Sequence, residues 1–287
     1  MKQGLAPYLF LLPTLLVFLT FTIVPALYNF YLSLFRISPL RPREFVGLGN
    51  FGYLVERDDL FRRALANTVL FVGGDVGLIL VLSLAIALLL NGKIRFRGFF
   101  RSVFFYPVLL SPVVVALIWG WFLNSHFGIL NAALRALGLE PQPWLLRADY
   151  AMVWVIVVHV WATIGFYSLI LLAGLQSIPP DLHEAAAVDG STGWQAFRYV
   201  TFPLLMPMVL LVLILATIRA FEVFDHVFVL TGGGPGFATL FVVQYIYRAG
   251  FELTEWGLAS AASLMLFVVI LSLTALQYVM GRLREAV

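Results

Sequence analysis

Runs of twenty or more residues without a single Asp, Glu, Lys or Arg recur along this chain, at residues 3–35, 102–134, 150–180, 199–218 and 256–281. A further stretch, Ala64 to Gly92, is interrupted only by Asp75. A helix needs about 20 mostly apolar residues to cross the hydrocarbon layer of a membrane. A soluble domain, by contrast, carries about 25% charged residues because its surface must face water. Here 11% of 287 residues are charged and 62% are hydrophobic. Such a chain has too little polar surface to cover itself, so its outside must face lipid. The pattern predicts an all-α, polytopic membrane protein with about six spans, roughly 8–35, 64–91, 102–123, 150–176, 204–226 and 257–280. It reads as a single transmembrane domain over 1–287. The first uncharged run is far longer than the apolar core of a signal peptide, about 7–15 residues, and reads as a span. The gap 227–247 is also uncharged, but Thr231-Gly232-Gly233-Gly234-Pro235-Gly236 would break a helix. It reads as a loop, with re-entry into the membrane left open.

Composition also excludes chemistry. There is no cysteine, hence no disulfide, thiolate nucleophile or iron–sulfur cluster. The net charge of +3 is spread over loops without a basic stripe, so nucleic acid is not an expected partner. The histidines His126, His159, His183 and His226 fall in different segments without metal-ligand spacing. No catalytic constellation appears. Charge does not orient the chain: with both ends inside, eight Lys and Arg, Lys2, Lys93 and Arg284 among them, fall inside against nine outside.

The informative stretch lies between the fourth and fifth spans, at 179–203. Pro179-Pro180 ends the fourth span, Asp181 is a good N-cap, and Glu184 three residues on completes a capping-box pattern. Gly190 can take the left-handed conformation that stops the helix, and Ser191 can cap a second short helix before Pro203. Ala185-Ala186-Ala187 leave the first helix without large side chains, so its backbone can sit close to a groove on another protein. An ordinary interfacial loop is the alternative that periodicity alone leaves open.

Glu184-Ala185-Ala186, then Asp189-Gly190, Phe197, Pro203 and Pro207, resemble the EAA loop of ABC-importer membrane subunits. The resemblance covers almost the whole chain. Leu12-Pro13, Pro25, Phe45-Val46-Gly47-Leu48-Gly49-Asn50-Phe51, Asn67-Thr68, Tyr106-Pro107, Pro112 and Trp119 resemble the oligosaccharide-uptake permeases. So do Phe127-Gly128-Ile129-Leu130-Asn131, Ala173-Gly174-Leu175-Gln176, Thr231-Gly232-Gly233-Gly234-Pro235 and Gly257-Leu258-Ala259-Ser260-Ala261.

This resemblance implies a division of labour. The segment Glu184, Ala185, Ala186, Asp189 and Gly190 would dock, in the cytoplasm, into a cleft of a separate ATPase subunit and transmit its closure to the spans. A second permease of similar fold, an ATPase dimer and an extracytoplasmic solute-binding protein are implied as partners, and a carbohydrate as solute. Both termini would lie in the cytoplasm of a prokaryotic cell, with the spans in its plasma membrane. No cofactor is expected on this chain, because ATP and magnesium belong to the ATPase. Indeed no Gly-x-x-x-x-Gly-Lys-[Ser/Thr] stretch is present.

Polar residues inside the spans mark the path such a protein needs. An ionisable group at the bilayer centre costs about 2.5–3.5 kcal/mol on insertion scales. Asp75 in the second span reads as an acid bonded to Asn, Ser or backbone of a neighbouring helix, or else facing a cavity. Arg219, Glu222 and Asp225 lie at i, i+3 and i+6, either as an intrahelical Arg219–Glu222 pair or as a polar lining of the path. His159 in the fourth span is a hydrogen-bonded core histidine or a cavity residue. Thr163 and Phe166 follow it at helical spacing and add a hydroxyl and a ring face. Tyr167, Tyr245 and Tyr247 read as lipid-interface residues. Two rivals remain: a stand-alone secondary transporter, which would need ion-coupling acids and a repeat, and a membrane-embedded enzyme, which would need paired catalytic groups. The solute stays open between sugars, oligosaccharides and glycerol phosphate derivatives.

Overall fold

A computed structural model describes residues 6–38, 41–92 and 95–285. Lys2, Lys93 and both chain ends, Met1 and Val287, lie outside the described residues, and of Arg284 only the backbone is described. Among the described residues the regular structure is helical apart from one hairpin, β1 (Phe35–Ser38) with β2 (Arg41–Phe45). Before it comes α1 (Leu9–Ser33); after it come α2 (Gly49–Glu56) and α3 (Asp59–Asn91). Next are α4 (Arg97–Leu109), α5 (Pro112–Phe122), α6 (Ile129–Ala136) and α7 (Ala148–Ser177). Then follow α8 (Pro180–Val188), α9 (Gly193–Phe221), α10 (Asp225–Leu230), α11 (Val242–Tyr247) and α12 (Trp256–Glu285). Among the described residues five helices are long and apolar enough to cross a membrane, and six if α4 and α5 count as one span.

Two of these differ from the sequence reading. The third span, expected as one helix over 102–123, is α4 and α5 bent by 100°. Pro107 and Pro112 each remove a backbone donor, and Ser111 between them is extended with ψ 135°, so the helical ladder cannot continue. The fifth span, expected over 204–226, starts at Gly193 and stops at Phe221. Phe224 leaves helical geometry, and Asp225 opens α10. Prolines also shape α1 and α9. Each carries a widened π turn, at Leu19–Ile23 and Phe197–Thr201, placed two residues before Pro25 and Pro203. A widened turn accommodates a ring that would clash with the carbonyl four residues earlier.

Contacts group the chain into two compact units, Met1–Arg62 with Tyr245–Val268 and Arg63–Gln244 with Val269–Val287. In the first, buried Asn50 ties the end of α1 to the hairpin, its Nδ2 donating to the carbonyls of Ser33 (2.7 Å) and Phe35 (2.9 Å). Gly257 lets α12 approach the same place, since a Cβ there would lie 1.9 Å from the Phe35 carbonyl oxygen. Tyr245, expected at the lipid interface, is instead 4% exposed and donates to Asp58 Oδ2 at 2.5 Å. Burial and that bond hold its phenol above the usual range.

In the second unit α7 is the central element: Val155, Val158, Leu171 and Leu172 are at most 1% exposed. Two glycines on it admit neighbours that no side chain would. A Cβ on Gly174 would meet Met208 Cγ at 2.6 Å, and one on Gly165 would lie 2.1 Å from the Phe104 carbonyl oxygen. The second obstacle is backbone and cannot swing away. Gly165→Ala is therefore expected to destabilise the protein by about 1–3 kcal/mol, seen as a lower thermal midpoint in detergent; an unchanged midpoint would show that α7 does not need this contact. The loop expected at 231–236 is pinned to α3 in the same unit. Arg63 donates to the Gly236 carbonyl (3.1 Å) and Asn67 to those of Phe237 (2.8 Å) and Leu240 (3.1 Å), while Thr68 Oγ1 accepts from the Val242 amide (3.0 Å).

Candidate functional site

A cavity of about 500 Å³ opens in the second unit beside the break between α4 and α5. His159, Thr163 and Phe166 reach it from one side of α7; Arg219 and Glu222 come from the end of α9 and Asp225 from the start of α10. All of the residues picked out for a solute path thus meet in one place. They do so by a different geometry from the one expected. Because α9 stops at Phe221 and α10 opens at Asp225, Asp225 is not one turn further along the helix that Glu222 closes. The residues on both sides of this break, Glu222 and Asp225, line the same cavity.

Arg219, Glu222 and Asp225 are exposed, and no Arg219–Glu222 ion pair forms among the described residues. The intrahelical pair is therefore set aside, and the three charges are free to face solvent in the cavity. Thr163 Oγ1 donates to the His159 carbonyl at 2.8 Å, which satisfies the hydroxyl hydrogen and leaves its lone pairs. Phe166 is 43% exposed and offers a ring face. Tyr167, expected at the lipid interface, lines the cavity and is 2% exposed. Its neighbours on α7 carried the signal: it follows His159 by eight residues, on the same helical face.

Behind this wall lies a buried polar cluster. His159 Nδ1 is 2.7 Å from Asp75 Oδ1, and the two side chains are 6% and 0% exposed. Asp75 therefore bonds a histidine, not the Asn, Ser or backbone expected of it; no spacing rule relates positions on two separate spans, so this partner was not legible. The His159 ring also meets Phe71 and His226 edge to face, at centroid distances of 5.4 and 5.3 Å. His226 was missed because a single histidine at the last position of the expected fifth span carries no pattern. Among the described residues no group of three His, Cys, Asp or Glu could hold a metal.

The residues picked out for ATPase coupling lie elsewhere, on α8 and the turn after it. Gly190 has φ +78°, a left-handed backbone that favours glycine. Its amide donates to the Ala187 carbonyl (3.1 Å) and that of Ser191 to Ala186 (3.0 Å), closing the helix end. The start differs from expectation. Pro179 is the N-cap, Pro180 takes the first helical position, and no side chain caps this end. The ring's fixed φ suits that first position, which moves Asp181 inside and leaves no Asp181–Glu184 capping box. At the next helix Thr192, not Ser191, is the cap: its hydroxyl accepts from the Gln195 amide (3.4 Å), while its own amide donates to Gln195 Oε1 (2.8 Å). That second short helix is the first turn of α9 and runs on into it. Glu184, Ala185, Asp189 and Gly190 are exposed, and only Ala186 turns inward, at 8%. Val188 is 88% exposed.

Residues 79–285 match the family described as the binding-protein-dependent transport system inner membrane component. The trehalose/maltose transport system permease protein MalF of Thermococcus litoralis is 37% identical over 285 residues, covering 99% of this chain and 96% of that one. The arabinooligosaccharides transport system permease protein AraP of Bacillus subtilis is 34% identical over 269 residues, 93% of this chain and 85% of that one. A chain of a bacterial alginate ABC transporter, solved with an alginate pentasaccharide-bound periplasmic protein, superposes with a TM-score of 0.86 at 27% identity, covering 98% of this chain and 95% of that one.

Proposed function

The chain belongs to the binding-protein-dependent transport system inner membrane components, and from that premise we propose which of its parts carry a sugar and which receive the work of ATP. It is the permease of an ABC sugar importer, a membrane subunit and not an enzyme. The cavity bounded by His159, Thr163, Phe166, Arg219, Glu222 and Asp225 is this chain's share of the sugar path. Its convergence from three elements onto one space is the observation that carries the reading. Two carboxylates accept hydroxyl hydrogens, the guanidinium donates, and the exposed Phe166 ring stacks on a pyranose face. Free carboxylates and an unpaired guanidinium in a wet cavity suit a neutral, polyhydroxylated solute.

The exposed α8 and its Gly190 turn are the docking element for an ATPase subunit. The path is completed by a second permease, the solute arrives on an extracytoplasmic binding protein, and α8 faces the cytoplasm. The bare surface of α1 supports a partner in the membrane: none of its most apolar window is buried against this chain.

Reconstitution of the assembled importer in proteoliposomes tests the reading, with labelled maltose, trehalose and arabinotriose as probes. Glu222→Ala is expected to raise the KM for uptake about tenfold, the worth of one or two charge-assisted hydrogen bonds, with insertion and assembly unchanged. An unaltered KM in both Glu222→Ala and Arg219→Ala would remove the cavity from the path. Arg219 also favours a second reading, a phosphorylated solute; uptake of glycerol 3-phosphate in preference to every sugar would establish it.

A further inference from the structure

Asp75 is a poor residue for stability where it stands. It is fully buried, and its Oδ2 has no partner among the described residues. A buried acid left partly unsatisfied costs stability, and a well-packed apolar residue in its place is often neutral or better. Its one bond is to His159, which lines the cavity. We propose that Asp75 is a positioning residue: it holds His159 so that the ring's Nε2–H is presented to the cavity as a hydrogen-bond donor for an oxygen atom of the solute. The inference rests on the reading of the cavity as a solute path and adds to it a residue that touches no solute.

Geometry fixes the ring. Nδ1 is anchored at 2.7 Å to Asp75 Oδ1 across α3 and α7, and the ring packs against Phe71 and His226. Among the described residues Nε2 has no partner, yet it is not closed off, in contrast to Asp75 Oδ2 and His226 Nε2, which are both buried and unpartnered. What the ring still shows to solvent therefore includes Nε2, on the side where it lines the cavity.

Charge fixes the hydrogen. In apolar surroundings the buried pair avoids a net charge, and it has two ways to do so. As carboxylate and imidazolium, both ring nitrogens carry hydrogen. As carboxylic acid and imidazole, the acid O–H donates to Nδ1 and the ring's single hydrogen sits on Nε2. Both forms leave Nε2–H pointing outward. Arg219, Glu222 and Asp225 line the same cavity with exposed side chains, one positive and two negative. The cavity wall thereby gains a neutral-pair donor opposite its two carboxylate acceptors, suited to a ring, ether or hydroxyl oxygen of a sugar.

The test uses the assembled importer in proteoliposomes and nanodiscs, with whichever of maltose, trehalose and arabinotriose the wild type takes up fastest. Asp75→Leu removes the anchor. Asp75→Asn keeps it, since an amide N–H donating to Nδ1 leaves the ring hydrogen on Nε2. Asp75→Leu is expected to raise KM about tenfold with kcat nearly unchanged, Asp75→Asn to stay near wild type, and Asp75→Leu to add nothing in a His159→Leu background. Histidine 15N spectra of the wild type should show Nε2 protonated and its resonance moving when the sugar is added. A wild-type KM in Asp75→Leu overturns the inference, as does a penalty that persists without His159 or a bare Nε2 in the spectrum. If Asp75→Leu is silent while Glu222→Ala raises KM, positioning fails alone. If both are silent, the solute-path reading fails and takes this one with it.

Discussion

Gly190→Pro leaves the chain inserted in the membrane and abolishes ATP-driven uptake. The turn after α8 requires two things of residue 190 that proline cannot supply. Its φ of +78° is closed to a ring fixed near −65°, and its amide donates to the Ala187 carbonyl. The substitution costs about 3 kcal/mol or more where the native turn must form, which lowers the population of that turn about a hundredfold. The spans on either side, α7 and α9, keep their own ladders, so insertion and cavity are untouched. Under the proposed role of α8, the loss falls on its link to an ATPase subunit. The expected result is normal abundance in the membrane, no stimulation of ATP hydrolysis by the loaded binding protein, and uptake at background. Normal uptake by this variant would refute the coupling role of the segment. Gly190→Ala, which retains the amide, should fall between the two.

Thr163→Trp should also abolish uptake, by the opposite route. Thr163 faces the cavity from the middle of α7 and is only partly buried. An indole in its place occupies the space between His159 and Phe166 without entering the packed side of the helix, where Val158 and Ile164 are at most 8% exposed. A path blocked in this way carries no sugar, yet α8 and its turn are intact. Stimulated ATP hydrolysis is therefore expected to persist at near wild-type rate while uptake falls by about a hundredfold or more, equivalent to roughly 2.7 kcal/mol on the barrier. Uptake at the wild-type rate would place the sugar path elsewhere. Loss of hydrolysis together with uptake would mean that the cavity and the ATPase link cannot be separated. The two variants together assign the two ends of the machine, because each is expected to spare what the other destroys.

Much of this was legible in the residues. Uncharged runs located the helices that can cross a membrane, since hydrophobic length is a local property and lipid enforces it. Gly190 announced a left-handed turn, and the structure places one there. The break in the third span was present as Pro107 and Pro112, yet a hydropathy count sees apolar residues and not missing donors. Capping was misjudged by two residues at the start of α8 and by one at the start of α9. Pro179 and Thr192 took the roles given to Asp181 and Ser191, because several residues can cap and only the backbone path chooses among them.

The sequence by itself determined that the chain lives in lipid, roughly where it crosses, and that the stretch between the fourth and fifth crossings holds a short helix closed by a left-handed glycine. Each of those follows from side chains within a few residues of one another: hydrophobic length, proline and glycine backbone limits, a run of small residues. Tertiary structure alone decided that Asp75 and His159, 84 residues apart, share one hydrogen bond. It also decided that the break between Phe221 and Asp225 leaves Asp225 lining the same cavity as Glu222, and that Tyr167 and Tyr245 are buried instead of lying at the lipid interface. Which faces of two helices meet is set by the packing of whole surfaces, glycine against carbonyl and ring against ring, and no local pattern encodes that choice.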